Sequence, residues 1–279
     1  MLRHLFVIGV SLFFGLGTAL AQSRVYPWLN DYDSLKSLVH LVKVPNGFAR
    51  TKVEEGSYAD WLRHLPIREG QKEIYLYDGK KVTGHDANYV VVDVDVGDKD
   101  LQQCGDAVIR FRAEYLFSKQ LFGSISFIFT SGDTAHYSDW LAGYRPNVNG
   151  DNVRWIRSVE SDSSYNNFRE YLDTVFMYAG TYSLSKEMKQ VSSIDSLQIG
   201  DAFILGGFPG HAVIVADIAM NPATGTKLFL LIQGYTPAQE IHVIRNPHRS
   251  DGLPWFELRT EDTLEILHWQ FTEKHLRRF

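Results

Sequence analysis

Apolar and polar positions change period several times along this chain, and each change marks an element. Tyr89 to Val96 is Val-rich and partly alternating, which predicts a strand. Cys104, Ala107, Val108, Phe111 and Tyr115 then recur at helical spacing and share one face. Asp98, ahead of that stripe, reads as an N-cap, so Cys104 falls in the first or second turn on the inward side. Tyr165 to Tyr178 repeats the helical pattern through Phe168, Leu172, Val175 and Phe176, and a shorter helix is expected from Ser183 to about Gln190. Ser57 to Leu65 reads as a helix capped by Ser57 and stopped by Pro66. Residues 133–163 are polar with scattered Trp, Gly and Pro, and are expected to be a long irregular loop.

The densest apolar stretch runs from Ile199 to Ala219, IGDAFILGGFPGHAVIVADIA. It reads as two strands, Ala202–Leu205 and Ala212–Ala216, around the Gly206–Gly210 loop. Asn221 to Gly225 is turn chemistry, and Lys227 to Gln233 is the returning strand. A turn centred near Ala223 sets His211 opposite Tyr235 and Val213 opposite Gln233. His211 and Gln233 then become diagonal neighbours on one face of the sheet. Further strands are expected at Ser124–Thr130, Glu240–Ile244 and, weakly, Trp255–Leu258. Together these predict an α+β fold with helices from the earlier part packed on a C-terminal antiparallel sheet.

The first 21 residues stand outside this pattern. Arg3 and His4 precede an apolar run from Leu5 to Leu16, and Ala19-Leu20-Ala21 is a small-x-small site. The expectation is a secretory signal peptide cut after Ala21, giving a secreted or periplasmic protein. Residues 22–279 would form a single α+β domain: a lead-in region at 22–97, a helical region at 98–190 and the antiparallel sheet at 199–258. No later stretch is apolar enough to span a membrane. The charge is −5 with no basic block, which argues against nucleic acid as a partner.

The chain has one cysteine, Cys104, so no internal disulfide can form and the thiol is either inert in a core or kept for chemistry. A helix start lowers a thiol's pKa, and a nearby histidine can take its proton. His211, at a strand mouth beside a Gly/Pro loop, is the candidate base, and Gln233 is its candidate orienter. Gln102 and Gln103, directly before the cysteine, are candidate oxyanion or support groups.

GDAFILGGFPGHAVIVAD resembles the GD…GH-apolar segment of NlpC-type and CHAP-type papain-like cell-wall peptidases. That resemblance implies a papain-like fold, Cys104 as nucleophile, His211 as base and Gln233 as orienter. It also implies a peptide or amide substrate of the kind found in peptidoglycan. Over most of the chain, segments such as VPNGFAR, YADWLRHLP, DLQQCGDAVIRFRAEYL and TPAQEIHVI resemble a family of exported bacterial proteins with an uncharacterised domain, which implies export but no activity. The alternative from a different class is an envelope binding protein in which Cys104 only packs.

Other groups point less far. Asp93, Asp95, Asp98 and Asp100 lack the final acidic ligand of a calcium loop and suit strand ends and a cap better. No His/Cys/acidic spacing reads as zinc, His85 and His136 lie in polar loops, and no cofactor is indicated. His242 reads as a structural residue on a short strand. Trp140, Tyr144, Arg145 and Trp155 either pin the long loop or line a groove.

Overall fold

The computed structural model describes residues 26–84 and 88–279. The expected signal peptide at 1–21 and His85 lie outside the described residues. The fold is α+β, with a large antiparallel sheet and few helices. The helices are Leu38–Leu41 (α1), Tyr58–Arg63 (α2), Cys104–Ser118 (α3), Tyr137–Leu141 (α4), Tyr165–Tyr178 (α5) and Thr181–Glu187 (α6). The early strands are Ala49–Arg50 (β1), Ile67–Arg68 (β2), Asn88–Val92 (β3), Ser126–Ile128 (β4), Thr134–His136 (β5), Tyr144–Asn149 (β6) and Asn152–Arg157 (β7). The later ones are Lys189–Gln190 (β8), Ala202–Leu205 (β9), His211–Met220 (β10), Lys227–Gln233 (β11), His242–Ile244 (β12), Trp255–Phe256 (β13), Leu264–Ile266 (β14), Trp269–Phe271 (β15) and Leu276–Arg278 (β16).

The main sheet runs in the order β2-β3-β12-β11-β10-β9-β16-β8, with β1 pairing on β10 and β13 on β11. It therefore draws strands from the lead-in region and from the C-terminal tail as well as from 199–258. The C-terminal tail lies beyond the 199–258 region in which the sheet was expected. It forms the β14–β15 hairpin, then places Leu276 against Phe203 and Arg277 against Ala202 at the edge of β9.

Strand β10 is buried along almost its whole length. Both of its faces meet apolar groups, so it reads as one continuous run rather than an alternation. Ala212, Ile214 and Ala216 join the cluster that holds Ala107, Val108 and Phe111 of α3 and Phe168 and Leu172 of α5. Val213 and Val215 join a second cluster with Phe203, Phe229 and Phe271. A bulge between Val215 and Asp217 shifts the phase, so Ile218 faces the second cluster and Ala219 the first. The bulge leaves Asp217 fully buried, where it receives Arg50 Nε at 2.6 Å and Arg63 Nε at 2.7 Å. Those two ion pairs tie β1 and α2 to the centre of the sheet. Among the described residues no helix is long and apolar enough to cross a membrane.

Two local expectations are corrected. The stretch 133–163 is not irregular: it holds β5, α4 and the β6–β7 hairpin. The hairpin turns at Gly150 (φ +59°), and its strands are largely exposed, so their pattern carries little apolar signal. Trp140 is buried with its Nε1–H donating to Asn167 O at 3.0 Å, and the Arg145 guanidinium lies 3.7 Å from its ring centroid. These residues pin the hairpin. The second correction concerns α3, whose cap is Gln103 rather than Asp98. Asp95 is used instead as a partner for Arg110 and Arg169, and Asp93 for Arg68.

Candidate functional site

Cys104 is the first residue of α3. The helix starts there because the Asp106 carboxylate folds back and its Oδ2 accepts from Gln103 N–H at 3.0 Å. Two further bonds fix this start to the loop that follows β11. Gln103 Oε1 accepts from the Thr236 hydroxyl at 3.0 Å, and Asp100 Oδ1 accepts from Ala238 N–H at 2.7 Å. Gly234 makes the approach possible, since a Cβ there would sit 2.9 Å from the Gln103 carbonyl oxygen. The thiol helix and the strand carrying Gln233 are thus in backbone contact.

The expected register holds where it matters. Ile214 pairs with Ile232, and continuing that ladder sets Val213 opposite Gln233 and His211 opposite Tyr235. The His211 and Gln233 side chains meet, with Nε2 and Oε1 2.7 Å apart. An amide oxygen only accepts, so His211 Nε2 carries the proton and Nδ1 keeps the lone pair. The ring lies 4.9 Å from the Trp269 indole at an interplanar angle of 14°, a stacked contact. Tyr235 meets it edge-on at 5.1 Å and accepts a hydrogen bond from Trp269 Nε1–H at 3.2 Å. On its far side, Gln233 Nε2 is 3.1 Å from His242 Nε2.

The sulfur of Cys104 accepts a hydrogen bond from the backbone N–H of Ala212, the residue after His211. The amides of Gly105 and of Cys104 itself also point towards it. Among the described residues no hydrogen bond joins the sulfur directly to the His211 ring. Cys104 is 6 % exposed and His211 1 %, so both groups sit just under the surface. Burial pushes the thiol up to about 11, against the pull of the Ala212 amide, and the Asp106 charge adds to the rise. Burial likewise lowers the imidazole to about 4, although its bond to Gln233 favours the charged ring. At neutral pH both groups rest neutral, the thiol on the α3 side of β10 with Ala212 and the imidazole on the other side with Trp269 and Phe271. Asp106 is itself held well above the usual carboxylate range by burial, and its Oδ1 is buried without a hydrogen-bond partner.

Of the expected Cys104, His211 and Gln233, the fold joins the His211 and Gln233 side chains on the Phe271 face of the sheet, and sets Cys104 across β10 beside the Ala212 amide, on the α3 face. Gln102 goes elsewhere: its Oε1 accepts from Arg110 Nη1 at 2.7 Å and its Nε2 donates to Asp95 O at 3.1 Å. Gln103 Nε2 donates to Asp100 Oδ1 at 3.1 Å. Both amides therefore brace the helix start. Trp269 was missed, because no pattern in the tail links it to a strand more than fifty residues earlier. His242 was seen only as a strand residue. Its place on the strand next to Gln233, with Gln233 paired to His242 in register, was the signal available.

No curated protein and no solved structure is significantly similar to the chain. A family model described as a domain of unknown function (4846) matches residues 38–278, and the chain belongs to that family.

Proposed function

We propose that this member of the family is a papain-like thiol hydrolase that cleaves a peptide or amide bond. The observation that carries the reading is the His211 Nε2–Gln233 Oε1 bond of 2.7 Å, which leaves Nδ1 as a free base one residue from the amide that holds the Cys104 sulfur. In this reading Nδ1 takes the thiol proton as sulfur attacks the substrate carbonyl carbon. The imidazolium then gives that proton to the leaving amine as the C–N bond breaks. Water, deprotonated by the same nitrogen, releases the acid from the thioester. Because thiol and imidazole both rest neutral, His211 acts as a general base during attack rather than as half of a standing ion pair.

The oxyanion donors in this reading are the first-turn amides of Cys104 and Gly105, which have no carbonyl four residues back to bond. Gln103 and Gln102 support them by fixing the helix start. Trp269 covers the His211–Gln233 bond from solvent. The local resemblance to cell-wall peptidases supports peptidoglycan peptides as substrate, and the apolar run Leu5–Leu16 supports export with cleavage after Ala21. A binding protein with a structural cysteine is the second reading, and the small exposure of Cys104 favours it. The experiment is to incubate the protein with peptidoglycan fragments and a mixed peptide pool and read the products by mass spectrometry. New amine termini should form with the native chain and vanish in both Cys104→Ala and His211→Ala. Equal product, or none from any variant, leaves the binding reading standing.

A further inference from the structure

The tautomer of His211 depends on which way the Gln233 amide points, and two buried groups set that direction. His242 is fully buried, and its Nδ1 lies 3.1 Å from the backbone carbonyl oxygen of Glu240. A carbonyl oxygen has no proton to give, so Nδ1 must carry one. In the neutral ring Nε2 is then a lone pair. The group 3.1 Å from that lone pair must be a donor, which places the Gln233 NH2 there and turns Oε1 to His211. A flipped amide would set oxygen against the His242 lone pair and NH2 against His211 Nε2–H. Both bonds would be lost between groups that are 0–1 % exposed. The Glu240 backbone is itself anchored, because its carboxylate accepts from Arg68 and from Tyr75 N–H.

We propose that His242 is a positioning residue for this site: it fixes the Gln233 amide, and through it holds His211 in the tautomer whose Nδ1 is the base. This deepens the hydrolase reading and rests on it for its consequence, but the tautomer chain itself does not. Outer partners that orient metal-bound histidines change affinity or activity about ten- to a hundredfold when removed, and the low end of that range is the size expected for a partner that orients a base.

The test uses the intact native chain. Long-range proton–nitrogen NMR of the imidazole rings should show His242 protonated at Nδ1 only and His211 protonated at Nε2 only. A proton on His242 Nε2, or on His211 Nδ1 alone, overturns the proposal without any variant. In His242→Phe the His211 signals should become a mixture of tautomers, and alkylation of Cys104 by iodoacetamide should slow about tenfold. His242→Gln, which keeps an acceptor facing Gln233, should restore the single tautomer and the rate. A single unchanged His211 tautomer in His242→Phe would also overturn the proposal. If His211→Ala leaves the alkylation rate unchanged, the hydrolase reading fails, while the native NMR pattern still decides the role of His242.

Discussion

The neutral, buried state of His211 has a measurable cost in acid. Its pKa falls from the ordinary 6.5 to about 4 in the folded chain, mainly through burial. Between those two values the unfolded chain binds a proton at this residue and the folded chain does not. Stability therefore rises with pH across that window by about 1.4 kcal/mol per pH unit. The contribution is fully present above pH 6.5 and is lost as pH falls through the window to about 4. Over the whole window it amounts to about 3 kcal/mol. Other groups titrate in the same range, so the comparison must be with His211→Gln, which removes the imidazole and keeps a polar group facing Gln233. Urea unfolding of both chains at pH 7, 6, 5 and 4 gives the free energies. The native chain should lose about 3 kcal/mol more than the variant between pH 7 and pH 4. A difference that stays within about 0.5 kcal/mol across the range would refute the reasoning, since it would mean that the ring titrates normally.

The raised thiol gives a second pH signature. In His211→Ala, where no ring assists, alkylation of Cys104 by iodoacetamide should climb about tenfold per pH unit from 7 to 10 without levelling off, and a plateau below pH 8 would mean a thiol of low pKa. Gly234→Ala should lower stability by about 1–3 kcal/mol in thermal unfolding, because its Cβ would press on the Gln103 carbonyl at 2.9 Å. An unchanged Tm would show that the helix start and the strand are not in fixed contact. Asp217→Ala leaves Arg63 buried beside it without its carboxylate and should cost about 3–5 kcal/mol in urea unfolding, whereas Arg50→Ala, which empties a partly exposed position, should cost less.

The candidate site was legible where local chemistry decides geometry. Asn221 to Gly225 is a turn on its own terms, and a centre at Ala223 is what sets His211 and Gln233 on one face in the sequence reading. The bulge after Val215 could not be read: beside the turn Met220 pairs with Lys227, one residue off the expected ladder, and the bulge restores that ladder by Ile214 and Ile232. The first turn of α3 was legible only in outline. Asp98 looks like a cap, yet the helix begins later because Asp106 supplies the cap from inside. Gln102 looked like a neighbour of the thiol, but the buried Arg110 takes its oxygen at 2.7 Å and turns it away. That pull comes from one helical stripe away and leaves no local mark. The fold was least legible at its edges. Strands β8 and β16 are two and three residues long and gain their place only by pairing across the chain. Trp269 reaches His211 through such tertiary placement, which periodicity does not encode.

The central claim is that Cys104 and His211 act together on an acyl carbon. A peptide aldehyde or peptidyl vinyl sulfone offers the thiol an electrophile shaped like a substrate, and intact-mass spectrometry reads the adduct directly. One adduct per native chain is expected, located at Cys104, lost in Cys104→Ala and strongly slowed in His211→Ala. A Cys104 that stays unlabelled in the folded protein while reacting readily after denaturation, or that labels at the same rate without His211, would contradict it.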